Sequence, residues 1–360
     1  MRILFGIQGT GNGHLSRCHQ LATALRHQPI SVDYLISGRQ PTSLFDCEVF
    51  GDFKLRRGLT FVTESGRIKP LKSALKNSLP NLMSEARALD LTDYDLVISD
   101  FEPVTAWAAK INHKRCIGIG RQYAFKERDL YRQLTVWQRL LINYFAPANE
   151  WLGMHWQPLG NCLPPVIRPH KATEPSGKHV LVYLPFENLY EVVDSLLPFN
   201  DYTFSVFHPH IGTAKYFGCD HIMGLPPSRQ AFAEQLSIAT GVIANAGFET
   251  TCEALNQAKF LAVKPLSGQF EQAWNAKLLL NDSRARVLKN ISEASIGSWL
   301  QSIEQQPMPS AMRWSHVALH ITDWLAKGAK GDKRDLLTTL WDGSPGWIRT
   351  NDTWINSPPL

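Results

Sequence analysis

The segment Gly9-Thr10-Gly11-Asn12-Gly13-His14 joins an apolar run, Ile3-Leu4-Phe5, to a stretch from about His14 to His27 in which Leu15, Cys18, Leu21 and Leu25 recur at helical spacing. Glycines in alternation let backbone approach a ligand closely, and the free N–H groups at a helix start attract anions. A tight turn with no ligand needs fewer glycines than Gly9, Gly11 and Gly13. His14, at the helix start, carries the side chain suited to accept a proton near neutral pH; its bland use is a hydrogen bond that begins the helix. Arg17 either faces the same crevice and binds an anion or lies on the solvated face. Asp100 and Glu102 follow another apolar run, Leu96-Val97-Ile98, and so stand at the carboxyl end of a second strand. One of the two orients His14 or serves as the base itself, unless Asp100 only caps the helix that Pro103 opens.

A dinucleotide site fits this loop badly. The third glycine of G-x-G-x-x-G comes one residue early, and the second strand ends at Ser37-Gly38-Arg39, where an NAD site wants Asp or Glu. Arg39 would suit a 2′-phosphate, which keeps an NADP oxidoreductase as a distant reading. No Gly-Lys-Ser/Thr follows, so the loop is not a P-loop.

A second strand–turn–helix runs from Val242-Ile243-Ala244 through Asn245-Ala246-Gly247 into Phe248-Glu249-Thr250. The N–H groups at the start of that helix are unpaired and face a ligand crevice. Glu253, a turn inside, would accept two adjacent hydroxyls of a ribose, or else is a solvated helix residue. After Phe260–Val263, a helix beginning near Gln269 places Phe270 and Trp274 on a core face. Glu271, Gln272 and Asn275 fall together on another. Carboxamides beside a carboxylate donate and accept, which suits sugar hydroxyls.

The elements that must position these residues alternate along the chain. Short β-branched runs and amphipathic stretches follow one another twice, which predicts α/β architecture with mostly parallel sheets. In the first half, helical stretches are expected over about residues 70–89 and 127–151, and a short strand near Phe61-Val62. Between Gln157 and Lys178, five prolines mark a linker. After Lys327 the periodicity stops, which predicts a disordered tail. The expected domains are 1–157, a linker 158–178, 179–326 and the tail 327–360. Length agrees with two domains, since 360 residues exceed the ~100–200 of one. Apolar residues at 44% and charged at 19% give globular composition, and a net charge of +5 is too small for a dedicated nucleic-acid binder. The N-terminus reads as a buried strand, and no apolar run reaches the ~18–20 residues of a membrane span. Six scattered cysteines without C-x-x-C argue against a disulfide scaffold or structural zinc and for a reducing, cytoplasmic setting. From Lys126 to Trp151, basic residues (Lys126, Arg128, Arg132, Arg139) mingle with aromatics. That is either a core helix with a basic edge or a surface for an anionic bilayer.

The block GVIANAGFETTCEALNQAKFLAVKPLSGQFEQAWNAKLL resembles the donor-binding signature of GT-B glycosyltransferases: a Gly-Gly-Phe-x-Thr-x-x-Glu-Ala-Leu segment followed by Gln-x-x-Asn-Ala. GTGNGHLSR is similar to the glycine-rich, His-ended loop of the same superfamily. From residue 1 to about 326 the chain resembles the family 28-like, nucleotide-sugar-dependent transferases, which include the peptidoglycan GlcNAc transferase and a microbial branch with Gly-His-x-x-Arg near its N-terminus. The resemblance implies two Rossmann-like, doubly wound domains facing a central cleft. It implies an inverting transfer from a nucleotide diphosphate sugar, UDP-linked, to an acceptor hydroxyl, lipid-linked if the basic aromatic segment meets a membrane. His14, Asp100 and Glu102 become the catalytic candidates, and Gly11, Asn12, Gly13 and Arg17 the phosphate or acceptor loop. Asn245, Gly247, Phe248, Thr250, Glu253, Gln269, Glu271, Gln272 and Asn275 become the donor site. Asn245-Ala246-Gly247 departs from the His-Gly-Gly or Gly-Gly start of many members, so a histidine contact to the diphosphate is lost. No metal and no cofactor beyond the nucleotide sugar is implied. A non-hydrolysing UDP-sugar 2-epimerase and a binding protein without turnover share these features and stand as alternatives.

Overall fold

The computed structural model describes the chain apart from residues 171–176, 313, 315, 343–346, 351–352 and 357–360. It divides into two compact units: Met1–Phe61, Leu71–Arg168 and Arg313–Leu360 form one, Val62–Pro70 and Pro169–Met312 the other. The middle of the expected linker, 171–176, and parts of the expected tail lie outside the described residues.

In the first unit β1 (Arg2–Gln8), β2 (Ser31–Ser37) and β3 (Lys54–Arg56) come before a hairpin of the other unit, β4 (Thr63–Glu64) and β5 (Arg67–Ile68). Then follow β6 (Leu96–Asp100), β7 (Cys116–Gly120), β8 (Glu150–Met154) and β9 (Cys162–Leu163). They form one sheet, ordered β3-β2-β1-β6-β7-β8-β9, with every pairing parallel. Parallel strands are covered on both faces, so they read as unbroken apolar runs: Ile3, Leu4, Phe5, Val97 and Ile98 are fully buried. The strand order reverses between β1 and β6, which opens a crevice at their carboxyl ends.

The second unit repeats the plan. β10 (His179–Tyr183), β11 (Thr203–Phe207), β12 (Lys215–Tyr216), β13 (Ile222–Leu225), β14 (Gly241–Asn245), β15 (Phe260–Lys264) and β16 (Ala285–Val287) order as β12-β13-β11-β10-β14-β15-β16. Only β12 runs antiparallel to its neighbour within this sheet. Val182, Phe204, Ile243 and Trp299 pack in one core cluster. A Cβ on Gly241 would stand 2.7 Å from the Trp299 ring, which requires a glycine there. The reversal falls between β10 and β14.

Several local expectations are corrected. The short strand expected near Phe61-Val62 falls just after it, at Thr63–Glu64, and β3 at Lys54–Arg56 was not anticipated. The stretch 70–89 breaks into helices Pro70–Lys76 and Leu79–Arg87, the second capped by Ser78. The stretch 127–151 is not one helix. Arg128–Arg132 ends early, and a capping box between Thr135 and Gln138 starts a separate helix at Val136–Tyr144. Trp151 then belongs to β8, where Leu152 and Met154 enter the core. After Lys327 the chain is not disordered throughout. Helix Lys333–Asp342 buries Leu336, Leu337, Leu340 and Trp341 against the first unit, and the Trp341 indole donates to the Cys162 carbonyl at 2.9 Å. The stripe at 336, 337, 340 and 341 is helical in period but short and flanked by charge, which hid it.

Candidate active site

In the first unit the site is built at the β1–β6 reversal. β1 ends at Gln8, and the chain turns through Gly9 into helix Asn12–Leu25. A Cβ on Gly9 would lie 2.8 Å from the Ser37 carbonyl, so this close crossing over β2 requires glycine. Gly11 is the N-cap with no side-chain cap, and nothing lies within 4 Å of where its Cβ would be, so the helix start is open. Asn12 Oδ1 accepts from Arg39 Nη1 at 2.7 Å; Arg39 thus braces the loop. Gly13 follows within the first turn.

His14 Nδ1 is 3.2 Å from Asp100 Oδ1, at the end of β6. Arg17 Nη2 reaches the same oxygen at 2.6 Å and lies 3.2 Å from His14 Nδ1, so Arg17 is not on a solvated face. Arg17 and Asp100 are 2% and 1% exposed, a buried ion pair. Cys18 Sγ donates to Asp100 Oδ2 at 2.9 Å. Gly120 passes so close that a Cβ there would stand 2.6 Å from Asp100 Oδ1. Burial opposes ionisation of Asp100, but Arg17 and then His14 outweigh it and bring its carboxyl down to about 2. Burial and the Asp100 charge push the Cys18 thiol well above its ordinary range, so it stays a neutral donor.

The histidine tautomer follows from these partners. A hydrogen on Nδ1 donates to the ionised carboxylate, which is the stronger arrangement than accepting from Arg17. Nε2 is then the lone-pair nitrogen, and Gln122 Nε2 donates to it at 3.2 Å. Gln122 lies in the turn Arg121–Lys126 after β7 and is a site residue that sequence reasoning missed. Nothing in local spacing points to it.

Asp100 does not cap the following helix, contrary to the alternative raised for it. Glu102 does. Its oxygens accept from Val104 N and Thr105 N, each at 2.7 Å, and from the Ser37 and Thr105 hydroxyls, each at 2.6 Å. Glu102 is fully buried, and burial raises its carboxyl despite those donors. Glu102 therefore braces β2 against helix Pro103–Ile111 and is not placed with His14. Asp93-Tyr94-Asp95, an Asp-x-Asp that the sequence reading passed over, lies at the amino end of β6. There Asp95 accepts from Arg2 N at 2.7 Å, at the opposite end of the strand from Asp100. Among the described residues no group of three His, Cys, Asp or Glu side chains is arranged to hold a metal ion.

In the second unit Asn245 ends β14 and Gly247 is the uncapped N-cap of helix Phe248–Asn256, again with open space where a Cβ would be. Thr250 and Glu253 are partly exposed along that helix, while Phe248 is buried. Gln269 caps helix Phe270–Leu279 by accepting from Gln272 N at 2.6 Å. Gln272 Oε1 accepts from Leu266 N at 2.8 Å, and Asn275 Nδ2 donates to the Ala246 carbonyl at 3.0 Å. These carboxamides bolt the turns after β14 and β15 together; Glu271 is buried on the same helix. Two residues missing from the sequence reading complete this end of the sheet. Lys264 Nζ pairs with Glu187 Oε1 at 2.6 Å, and Asn245 Nδ2 donates to that oxygen at 3.1 Å. Gly66, at the tip of the β4–β5 hairpin, sits against this pair. Its N–H donates to the Phe186 carbonyl at 2.6 Å and its carbonyl accepts from Ser267 N at 2.9 Å. With φ of 71° and a would-be Cβ 2.3 Å from Glu187 Oε2, only glycine fits.

Solved structures share this architecture. The glycosyltransferase SnogD from Streptomyces nogalater matches at TM-score 0.52 and 14% identity, covering 91% of this chain and 99% of that one. The spinosyn forosaminyltransferase SpnP matches at 0.56 and 14%, covering 95% and 98%. MurG from Acinetobacter baumannii matches at 0.50 and 15%, covering 91% and 100%. At such identities the likeness establishes the GT-B fold. No curated protein matches the chain in sequence. The model of glycosyl transferase family 1 matches residues 1–304, and with both glycine-capped helix starts inside that span the chain belongs to this family of glycosyltransferases.

Proposed function

We propose that this glycosyltransferase moves a sugar from a UDP-linked donor to an acceptor hydroxyl with inversion at the anomeric carbon, and that His14 is the base. The observation that carries the reading is the His14–Asp100 pair at the strand-order reversal, with Nε2 as the proton-accepting nitrogen. The acceptor O–H gives its proton to His14 Nε2 while the oxygen bonds to the anomeric carbon from the face opposite the leaving group. The bond from that carbon to the diphosphate oxygen breaks, and its electron pair leaves with the nucleoside diphosphate. The open N–H groups at the start of helix Phe248–Asn256 meet that charge, a step that calls for no metal ion. Thermal shift against a panel of nucleotide sugars identifies the donor, since bound ligand stabilises the native state. Incubation with UDP-GlcNAc, with and without an acceptor, then separates the chemistries. Acceptor-dependent UDP release supports transfer, whereas epimerised sugar without acceptor, or stabilisation without any turnover, overturns it.

The donor is held by the Gly247–Glu253 and Gln269–Asn275 segments. Glu253→Ala loses a charged hydrogen bond to a donor hydroxyl, with an expected cost of ~1.5–3 kcal/mol in donor affinity. Gln272→Ala frees the Leu266 N–H and loosens the same pocket. Calorimetric affinities equal to wild type in both variants would place the donor elsewhere.

The acceptor is lipid-linked and met at an anionic membrane surface. Helix Val136–Tyr144 buries only Ile142, while Val136 and Trp137 are 70% and 80% exposed. Leu140 and Tyr144 are exposed with them, and Arg128, Arg132 and Lys110 are exposed nearby in sequence or over the Tyr144 ring. An apolar face with a basic border suits a headgroup layer. Among the described residues no helix is long and apolar enough to cross a membrane. Flotation with phosphatidylglycerol vesicles is expected to carry the protein upward at low salt and to fail for Trp137→Glu. Equal recovery of wild type and variant would sink the membrane surface.

A further inference from the structure

We propose that Arg17 is a positioning residue that sets the proton affinity of His14 through Asp100, so that the base is a charge-compensated Arg–Asp–His relay. The inference rests on the reading of His14 as base and adds a residue to it. In a two-member pair, an ionised carboxylate beside an imidazole favours the protonated ring. Here Asp100 Oδ1 is shared: Arg17 Nη2 holds it at 2.6 Å and His14 Nδ1 at 3.2 Å. The shorter contact belongs to a charge that never leaves, and Arg17 and Asp100 are almost fully buried, where water screens little. With His14 neutral the cluster carries no net charge; proton capture takes it to +1, with Arg17 only 3.2 Å from the ring. Without Arg17, the same step would go from −1 to zero. Arg17 therefore opposes the positive charge that proton capture brings to the cluster, while its hold on Asp100 fixes the ring's orientation.

The other groups described around the cluster are neutral donors or charges engaged elsewhere. On the helix of His14 the other ionisable neighbour is Cys18, held as a neutral donor to Asp100. From the turn after β7 come Gln122, which is uncharged, and Tyr123, a fully buried phenol raised by burial and by nearby anionic groups that include Asp100; the same turn carries Arg121, whose Nη1 donates to the Met154 carbonyl at 3.0 Å and whose guanidinium lies over the Phe125 and Trp156 rings, and Lys126, over the Trp151 ring. Glu102 is engaged by its four donors, and Arg39 is turned onto Asn12.

The test is Arg17→Gln, which keeps an N–H donor for Asp100 but removes the charge. Two readouts are taken on protein of native circular dichroism. One is the acidic limb of turnover against pH; the other is the NMR titration of the His14 ring in protein without donor. Both are expected to move to higher pH by ~1–3 units, the usual effect of a charge at this range. If neither moves, Arg17 is a structural ion pair and the proposal is overturned. If the ring titration moves while the limb stays, the relay stands and the assignment of His14 as the base fails. Should the glutamine variant not fold, Arg17→Lys decides. The charge is kept, so limb and ring titration should hold near wild type while turnover falls; a displaced titration there overturns the proposal.

Discussion

With His14 as the proposed base, its replacement by alanine is expected to lower turnover by ~10²–10⁴-fold, the usual contribution of a general base. Donor affinity should stay near wild type, because proton transfer is felt only in the transition state and the proposed donor contacts lie in the second unit. The plot of rate against pH should also lose its acidic limb, since that limb reports protonation of the base. Steady-state kinetics across pH, with donor affinity from calorimetry, separate the two effects. His14 stands in the first turn of helix Asn12–Leu25, so circular dichroism of the variant must match wild type before the rate is read. Near-full turnover with the acidic limb intact would make His14 a loop-positioning residue. Asp100, the carboxylate nearest His14, would then be the remaining candidate for the base.

Replacing Asp100 with asparagine destabilises the protein by ~3–5 kcal/mol, the cost of breaking a buried ion pair from one side. Asp100 accepts from Arg17, His14 and Cys18, and the change leaves the Arg17 guanidinium buried without its carboxylate. Urea unfolding of the first unit's transition gives the loss; a change under ~1 kcal/mol would mean the pair is no better than an exposed one. The same carboxylate predicts an acid dependence in the wild type. Its folded value, about 2, lies below the ordinary 3.8, so the stability it contributes is fully present above pH 4 and is lost as pH falls toward 2. In the asparagine variant that part of the acid dependence should be missing.

Much of the molecule was legible in its residues because the relevant signals are local. Ile3-Leu4-Phe5, Leu96-Val97-Ile98, Val180-Leu181-Val182 and Val242-Ile243-Ala244 are buried on both faces of parallel strands, so each is continuously apolar and none alternates. Gly11 and Gly247, each just ahead of a helix, mark the two open helix starts, which no side chain caps. The carboxamides Gln272 and Asn275 stood out in the sequence by type and spacing, but their visible role, joining Leu266 and Ala246 to helix Phe270–Leu279, was not legible there.

What the chain could not announce depends on which distant segments the sheet brings together. Asp100 and Glu102 are two residues apart and chemically alike. Only the parallel pairing of β6 with β1 aims Asp100 at His14, 86 residues away, while Glu102 turns into its own helix start. Arg17 looks like a surface arginine until Asp100, 83 residues on, neutralises it in the interior. Gln122 meets His14 across 108 residues, and Trp341 closes on Cys162 across 179. Periodicity records which face of a segment is dry, and it carries no information about the identity of the polar partner that waits there. A buried charge needs such a partner, so the first site's chemistry was decided by tertiary structure, whereas the helix starts that frame it were already written in the local sequence.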